Sequence, residues 1–103
     1  MPYTIELQPD AWADLKALRK GHQAKILQAI DQHLTHDPTR QSKSRIKHMR
    51  PGTRPPYRLR VDEFRVYYDV LVEDMLVIIY GVVDKEYSLA WLDAFAKKFS
   101  QEE

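Results

Sequence analysis

The chain has 103 residues, no cysteine and a formal net charge of +1, with 44% hydrophobic and 30% charged residues. This length suits one domain spanning residues 1–103, and the composition excludes a disordered or fibrous chain. Without cysteine, the chain forms no disulfide, thiolate metal site or cysteine nucleophile. No apolar run reaches about 18 residues and no signal-peptide pattern opens the sequence, so we expect a soluble cytoplasmic protein without membrane contact.

Positive charge is concentrated in one central window. Between Arg40 and Arg65 the chain has nine basic residues against two acidic ones, so the window carries +7 and the rest of the chain −6. The basic residues are Arg40, Lys43, Arg45, Lys47, Arg50, Arg54, Arg58, Arg60 and Arg65. A charge separation of this size in a small domain indicates an anionic partner, and we expect that partner to be RNA.

The first third of the chain predicts a strand followed by two helices. Apolar and polar residues alternate over residues 3–7, which is typical of a half-buried strand. Pro9 and Asp10 open a helix that we expect to end at Gly21, and a second helix over about residues 22–36 ends before Pro38. So short a break predicts a helical hairpin. The apolar positions are Trp12, Leu15 and Leu18 in the first helix, and Ile26, Leu27, Ile30 and Leu34 in the second.

The remainder predicts a long basic loop, three strands and a last helix. Residues 39–56 are polar and contain four prolines and glycines, which favours a loop. Strands are predicted at 57–61, 64–72 and 75–83, with turns at 62–63 and 73–74. A helix follows over 87–99, with Leu89, Leu92, Ala96 and Phe99 on one side and Trp91 and Phe95 beside them. The order β-α-α-β-β-β-α predicts an α+β fold with a mostly antiparallel sheet.

The turn at Asp62 and Glu63 determines which way the arginines point. If it is a two-residue hairpin turn, Arg60 pairs with Arg65 and Arg58 with Tyr67, and these four side chains share one face. The opposite face, which is then core, holds Tyr57, Leu59, Val61, Phe64, Val66 and Tyr68. Directly opposed like charges destabilise a sheet, and a bound anion would remove that cost. Guanidinium groups suit phosphate, and the Tyr67 ring offers base stacking or a hydrogen bond.

Plainer interpretations of these residues stay open. The arginines can form an ordinary solvated face that Glu63 and Asp69 screen, and the loop cations can be a solvated charge run. In the functional interpretation, the loop is an electrostatic approach surface for RNA. Its candidate RNA-binding residues are Lys43, Arg45, Lys47, His48, Arg50 and Arg54. The four histidines lack a metal-ligand spacing, so neither a metal nor a cofactor is expected. Trp12, Trp91 and Phe95 are expected to be core.

The element order and the run from Tyr57 to Val70 resemble the RelE/ParE superfamily of bacterial type II toxins. The matching run in that family is close to YRLRVGDYRVFYDV, and the resemblance in layout covers nearly the whole chain. It implies a toxin bound by a cognate antitoxin. In the RelE branch it implies metal-independent mRNA cleavage, often on the ribosome, in which a 2′-hydroxyl attacks the adjacent phosphate.

The resemblance also implies which residues are catalytic. By position, Arg58, Arg60 and Arg65 match family residues that bind phosphate and stabilise the transition state, with Tyr67 beside them. Active relatives have an arginine two residues past the glycine of the last strand, where this chain has Val83 after Gly81. Lys85 and Tyr87 are the candidates for the missing function. Two alternatives stay open: a non-enzymatic ParE-like inhibitor of DNA gyrase, and a nucleic-acid-binding relative without toxicity.

Overall fold

The computed structural model describes residues 2–101, with side chains for residues 2–98, and it has the predicted α+β architecture. In chain order the elements are β1 (Thr4–Leu7), α1 (Pro9–Lys16), α2 (Lys20–Leu34), β2 (Ile46–His48), β3 (Tyr57–Val61), β4 (Phe64–Leu71), β5 (Leu76–Asp84) and α3 (Ser88–Gln101). Short 3₁₀ turns lie at Val72–Asp74 and Lys85–Tyr87. None of the helices within residues 2–101 is long and apolar enough to cross a membrane.

The five strands form one sheet in the order β1-β5-β4-β3-β2. β1 pairs with β5 in parallel and the other neighbours pair antiparallel, so the sheet is mostly antiparallel, as predicted. β2 is a correction, because the sequence predicted an unbroken loop over residues 39–56. Its single apolar residue, Ile46, is buried opposite Leu59, and one such residue among cations gives too weak an alternation to predict a strand.

One face of the sheet is covered by α1 and α2. Ala11 and Leu15 from α1 and Ile26, Ile30 and Leu34 from α2 are buried in one cluster with the apolar residues of β3, β4 and β5. α1 lies against β5 and α2 against β3. Two details of these helices differ from prediction. Gly21 lies inside the first turn of α2, because α1 already ends at Lys16 with right-handed backbone at Ala17. Trp12 is 47% exposed rather than core, with the Lys16 ammonium 5.5 Å from its ring centre.

β5 extends beyond the end of β1, and α1 supplies the missing hydrogen bond. β1 ends at Leu7, opposite Ile79. The Val82 N–H, farther along β5, donates to Asp14 Oδ2 at 3.1 Å. Burial raises the pKa of the Asp14 carboxyl above 3.8, although the hydrogen bond from Val82 acts in the opposite direction. Asp14 therefore ties α1 to β5, the strand between β1 and β4.

The other face of the sheet contacts α3 through its aromatic residues. Trp91 stacks on Tyr67 with ring centres 4.9 Å apart, and Phe95 contacts both Trp91 and Tyr80. The aliphatic side of α3 does not face the sheet, because Leu89 is 83% exposed and Ala96 is also exposed. The predicted contribution of Phe99 lies outside the described side chains. Aromatic rings, rather than the aliphatic stripe, fix this helix to the sheet.

Candidate nucleic-acid interface

The β3–β4 hairpin has the predicted register. Arg60 pairs with Arg65, Arg58 with Tyr67, and Tyr57 with Tyr68. The turn contains only Asp62 and Glu63, and Asp62 adopts the left-handed conformation, with φ 52°, that tight hairpin turns require. Since opposed residues share a face, the arginines lie on the side of the sheet away from α1 and α2.

Strand β2 extends this cationic surface by one more strand. Lys47 pairs with Arg58, so its side chain is on the same face. Arg45 lies beside Arg60: the Arg60 N–H donates to the Arg45 carbonyl at 2.8 Å, and the Arg45 guanidinium donates to the Arg60 carbonyl at 3.4 Å. We call the five residues Arg45, Lys47, Arg58, Arg60 and Arg65 the cationic face. An open cleft at its end is lined by Ser44, Arg45, Arg60, Asp62 and Glu63.

The electrostatics of the cationic face are unfavourable in the free protein. Burial, and then repulsion from Arg58 and Arg60, lower the pKa of the half-buried Arg65 guanidinium. Among the described residues, the Arg65 guanidinium donates to two backbone carbonyls, those of Asp62 at 3.2 Å and Phe64 at 3.0 Å. The Arg58 Nε atom is buried and has no hydrogen-bond partner in the described structure. Such a cluster is suited to a multiply charged anion.

The two acids that could screen the arginines are ion-paired with other cations. Asp69 accepts from Arg54 at 3.3 Å, and Glu63 lies 3.0 Å from the Lys85 ammonium. Among residues 2–98, no carboxylate forms an ion pair with Arg58, Arg60 or Arg65. Glu63 still acts on Arg65 at a distance and partly offsets the lowering of its pKa, so the screening of this surface is partial and involves no direct ion pair in the described residues.

Tyr67 is the main correction to the predicted site. It belongs to the same face as the arginines but is only 1% exposed, because the Trp91 ring covers it at an interplanar angle of 12°. Gly81, the β5 partner of Tyr67, permits this approach: a Cβ at that position would lie 2.6 Å from Trp91 Cε2. In this conformation the Tyr67 ring is not available for base stacking.

The far end of the cationic face holds the other three candidate positions. Val83 pairs with Arg65 and is 8% exposed. Lys85 follows at the start of the 3₁₀ turn, where its N–H donates to the Glu63 carbonyl at 2.8 Å. Tyr87 ends this turn and is 65% exposed. Lys85 is therefore held at the hairpin turn, whereas the Tyr87 side chain is open to a ligand.

Comparison with known proteins identifies the family. The family described as "ParE toxin of type II toxin-antitoxin system, parDE" matches residues 5–86. The chain belongs to this family. A curated relative from Methanocaldococcus jannaschii, named as toxin RelE1, is 31% identical over 86 residues, which cover 84% of this toxin and 93% of the relative. The chain is thus a RelE/ParE-type toxin of a type II toxin–antitoxin system, as its sequence predicted.

Solved structures share the toxin's fold. The archaeal RelE–RelB complex from Pyrococcus horikoshii matches with a TM-score of 0.67 and 26% identity over 82% of this chain and 96% of that one. The RelBE2 complex from Mycobacterium tuberculosis matches with a TM-score of 0.69 and 24% identity, covering 82% and 99%. A free Escherichia coli RelE double mutant matches with a TM-score of 0.69 and 20% identity, covering 94% and 98%.

The predicted RNA-binding residues of the loop separate into three groups in the toxin. Arg45 and Lys47 join the cationic face, which the sequence did not show because β2 was not predicted. Lys43 and Arg50 are exposed in the segments flanking β2, and Arg54 pairs with Asp69. His48 is on the opposite side from Lys47, stacked on Tyr57. No cluster of three or more metal-ligating side chains occurs in the described part of the toxin.

Proposed function

We propose that this toxin binds mRNA on the cationic face and cleaves it without a metal ion. The observation that carries the proposal is the cross-strand cluster of Arg58, Arg60 and Arg65, which has no carboxylate ion-paired to it in the described structure. Phosphate oxygens would relieve the repulsion from Arg58 and Arg60, which adds to burial in lowering the pKa of the Arg65 guanidinium. They would also give the buried Arg58 Nε a hydrogen-bond acceptor.

The reaction that fits these residues is transesterification within the RNA backbone. The 2′-hydroxyl oxygen attacks phosphorus, the bond from phosphorus to the 5′ oxygen breaks, and the products are a 2′,3′-cyclic phosphate and a 5′-hydroxyl end. The phosphorane that forms carries more negative charge than the starting diester, and preorganised guanidinium groups stabilise it. The arginines remain protonated and do not carry the proton from the 2′ oxygen to the 5′ oxygen.

Proton transfer is assigned to the end of the cationic face beyond Val83. Lys85, whose ammonium lies 3.0 Å from Glu63, can stabilise charge on the departing 5′ oxygen or donate a proton to it, while the proton of the 2′-hydroxyl passes to water. Tyr87 is exposed two residues later and can contact the nucleotide at the cleavage position. Tyr67 takes part only if α3 moves away from it, because Trp91 covers its ring.

The proposal includes a protein partner and a place of action. Two of the matching structures are complexes of a RelE-type toxin with its antitoxin. We infer that a cognate antitoxin likewise covers the +7 window of this toxin with an acidic or amphipathic segment, and that the toxin acts on mRNA in the cytoplasm, on or off the ribosome.

A second function is supported by two observations. The matching family is named for ParE, and the position of the arginine found in active ribonucleases is Val83, a buried apolar residue. A toxin of this kind would inhibit DNA gyrase by binding it, and the exposed Tyr87 and Leu89 would then be the natural contacts.

Induced expression of the toxin alone, with cellular RNA mapped by primer extension, separates the two functions. We expect new 5′ ends within translated messages after a few minutes, and none with the Arg60→Ala/Arg65→Ala variant. Arg40→Ala is the matched control, because Arg40 is exposed and outside the cationic face. Growth arrest with intact messages would reject cleavage and direct the test to gyrase supercoiling. Unimpaired growth would reject both toxic functions and leave a nucleic-acid-binding relative.

A further inference from the structure

Three aromatic side chains form a ladder across neighbouring strands on the face opposite the arginines. His48 on β2 stacks on Tyr57 on β3 with ring centres 4.6 Å apart and planes at 15°. Tyr57 in turn stacks on Tyr68 on β4 at 5.4 Å and 19°. The three residues are directly paired in the sheet, and the strand spacing of about 4.8 Å accounts for the parallel rings.

The ladder runs from the protein interior to the surface. Tyr68 is fully buried, and its hydroxyl donates to the Pro38 carbonyl at 2.6 Å, four residues past the end of α2. Tyr57 is half-buried and His48 is exposed. Tyr57 covers one face of the imidazole, so the exposed surface of His48 is its other face and its ring edges. The ladder thus ends at the edge of the sheet in an imidazole with one exposed face.

We propose that the exposed face of the His48 imidazole stacks on an unpaired base of single-stranded RNA. The proposal rests on the RNA-binding function and adds a base-binding site outside the cationic face. Two rings already aligned behind His48 hold it in place, and the Gln41 side chain accepts from the His48 backbone N–H at 3.1 Å. The His48 side chain is therefore already fixed before a base binds, so binding loses little side-chain entropy.

The surrounding charge indicates a nucleic acid as the ligand. Residues 39–56 contain six basic residues and no acidic one. Lys47 and His48 are consecutive in the strand at the sheet edge, so their side chains point to opposite faces. A single strand that passes around this edge can place a phosphate at Lys47 and the neighbouring base at His48. A duplex keeps its bases stacked inside and offers none to the ring.

The backbone of β2 argues against a protein strand in this place. Ser42 N–H donates to the Ile46 carbonyl at 3.0 Å, and the Ser42 hydroxyl accepts from the Ile46 N–H at 3.3 Å. With Gln41 on His48, the outer edge of β2 is largely hydrogen-bonded already. An added strand would find few free groups, whereas a base needs only the ring.

Fluorescence anisotropy with two labelled oligonucleotides tests the proposal. One is an eight-residue 2′-O-methyl oligoadenylate, which lacks the attacking hydroxyl and therefore reports binding without cleavage. The other has the same number of phosphates but abasic sugars. We expect His48→Ala to weaken binding of the oligoadenylate by about 5- to 150-fold, the effect of losing one base–aromatic stack. Binding of the abasic oligomer should change less than about twofold, and His48→Phe should restore oligoadenylate binding.

His36→Ala is the matched control, because His36 is an exposed histidine outside the basic window. If His48→Ala binds each oligomer as tightly as the unsubstituted toxin does, the proposal is overturned and the ladder only stabilises strand pairing. An equal loss on both would also overturn it, since the effect would then be structural or electrostatic. A loss confined to antitoxin binding would assign the ring to a protein partner. Failure of the unsubstituted toxin to bind either oligomer would instead reject the proposed function.

Discussion

Substituting Arg60 by glutamine should make the free toxin more stable, which is the opposite of the usual effect of a substitution in a strand. Arg60 is exposed and lies directly opposite Arg65. Burial is the main cause that lowers the pKa of the Arg65 guanidinium, and repulsion from Arg58 and Arg60 lowers it further. The lowered pKa means that folding disfavours the charged form. Because the pKa of arginine stays far above neutral, this cost is present throughout the physiological pH range.

The size of the gain follows from the geometry of the pair. Directly opposed like charges cost about 0.2–1 kcal/mol in exposed cross-strand positions. The second neighbour Arg58, on the same strand and face, places the expected gain for Arg60→Gln in the upper half of this range, about 0.5–1 kcal/mol. For a chain of this length the melting temperature should rise by about 2–8 °C.

Urea unfolding at low and high ionic strength is the measurement. At 1 M salt the screening length falls to about 3 Å, so most of the gain should disappear. Arg40→Gln removes the same charge from an exposed arginine whose neighbour is Asp37 at 3.8 Å, and it should give no gain. If Arg60→Gln is neutral or destabilising at low salt, or if its gain persists at 1 M salt, repulsion does not dominate this surface.

Three further substitutions test other parts of the structure. Val83→Arg adds a cation beside the cross-strand arginine pair. It should increase RNA cleavage at least tenfold in a purified assay and lower the free energy of unfolding by about 1–3 kcal/mol. Unchanged cleavage would count against the proposed geometry. Gly81→Ala forces Trp91 away from the sheet and should cost about 1–3 kcal/mol, with a red shift in tryptophan fluorescence; an unshifted spectrum would contradict this. Because burial raises the folded-state pKa of Asp14, its charge costs stability at neutral pH, and that cost is relieved as pH falls through the raised pKa. Asp14→Asn should therefore be at least as stable as the unsubstituted toxin at pH 7 and lose its advantage in acid, whereas Asp14→Ala leaves the Val82 N–H unpaired and should cost about 1–3 kcal/mol by urea unfolding.

The arginine surface could be predicted because it depends on local geometry. A two-residue turn at Asp62 and Glu63 determines every pairing in the hairpin, and side chains in a strand alternate between faces. Both facts are readable from consecutive residues. The prediction that Arg58, Arg60 and Arg65 share a face needed no knowledge of the rest of the fold.

The burial of Tyr67 could not be predicted in the same way. It depends on where α3 lies, and the aliphatic stripe of that helix does not mark the side that contacts the sheet. The signal was Gly81: a glycine within an apolar strand often marks the close approach of another group, here Trp91. Strand β2 was missed because its pairing with β3 spans the loop between them, and three residues with one apolar side chain carry little periodicity.

The pairing of β1 with β5 has a consequence for how the toxin is made. β5 lies between β1 and β4, so β1 has no pairing partner until residues 76–79 have been synthesised. The β3–β4 hairpin, by contrast, forms from contacts close in sequence and can fold early. A chain still being synthesised thus acquires its arginine surface before α1 can dock, since α1 lies against β5. Any truncation before Leu76 leaves β1 without a partner, one edge of β4 uncovered and α1 unattached, so such a product is expected to aggregate or be degraded rather than act as a partial toxin.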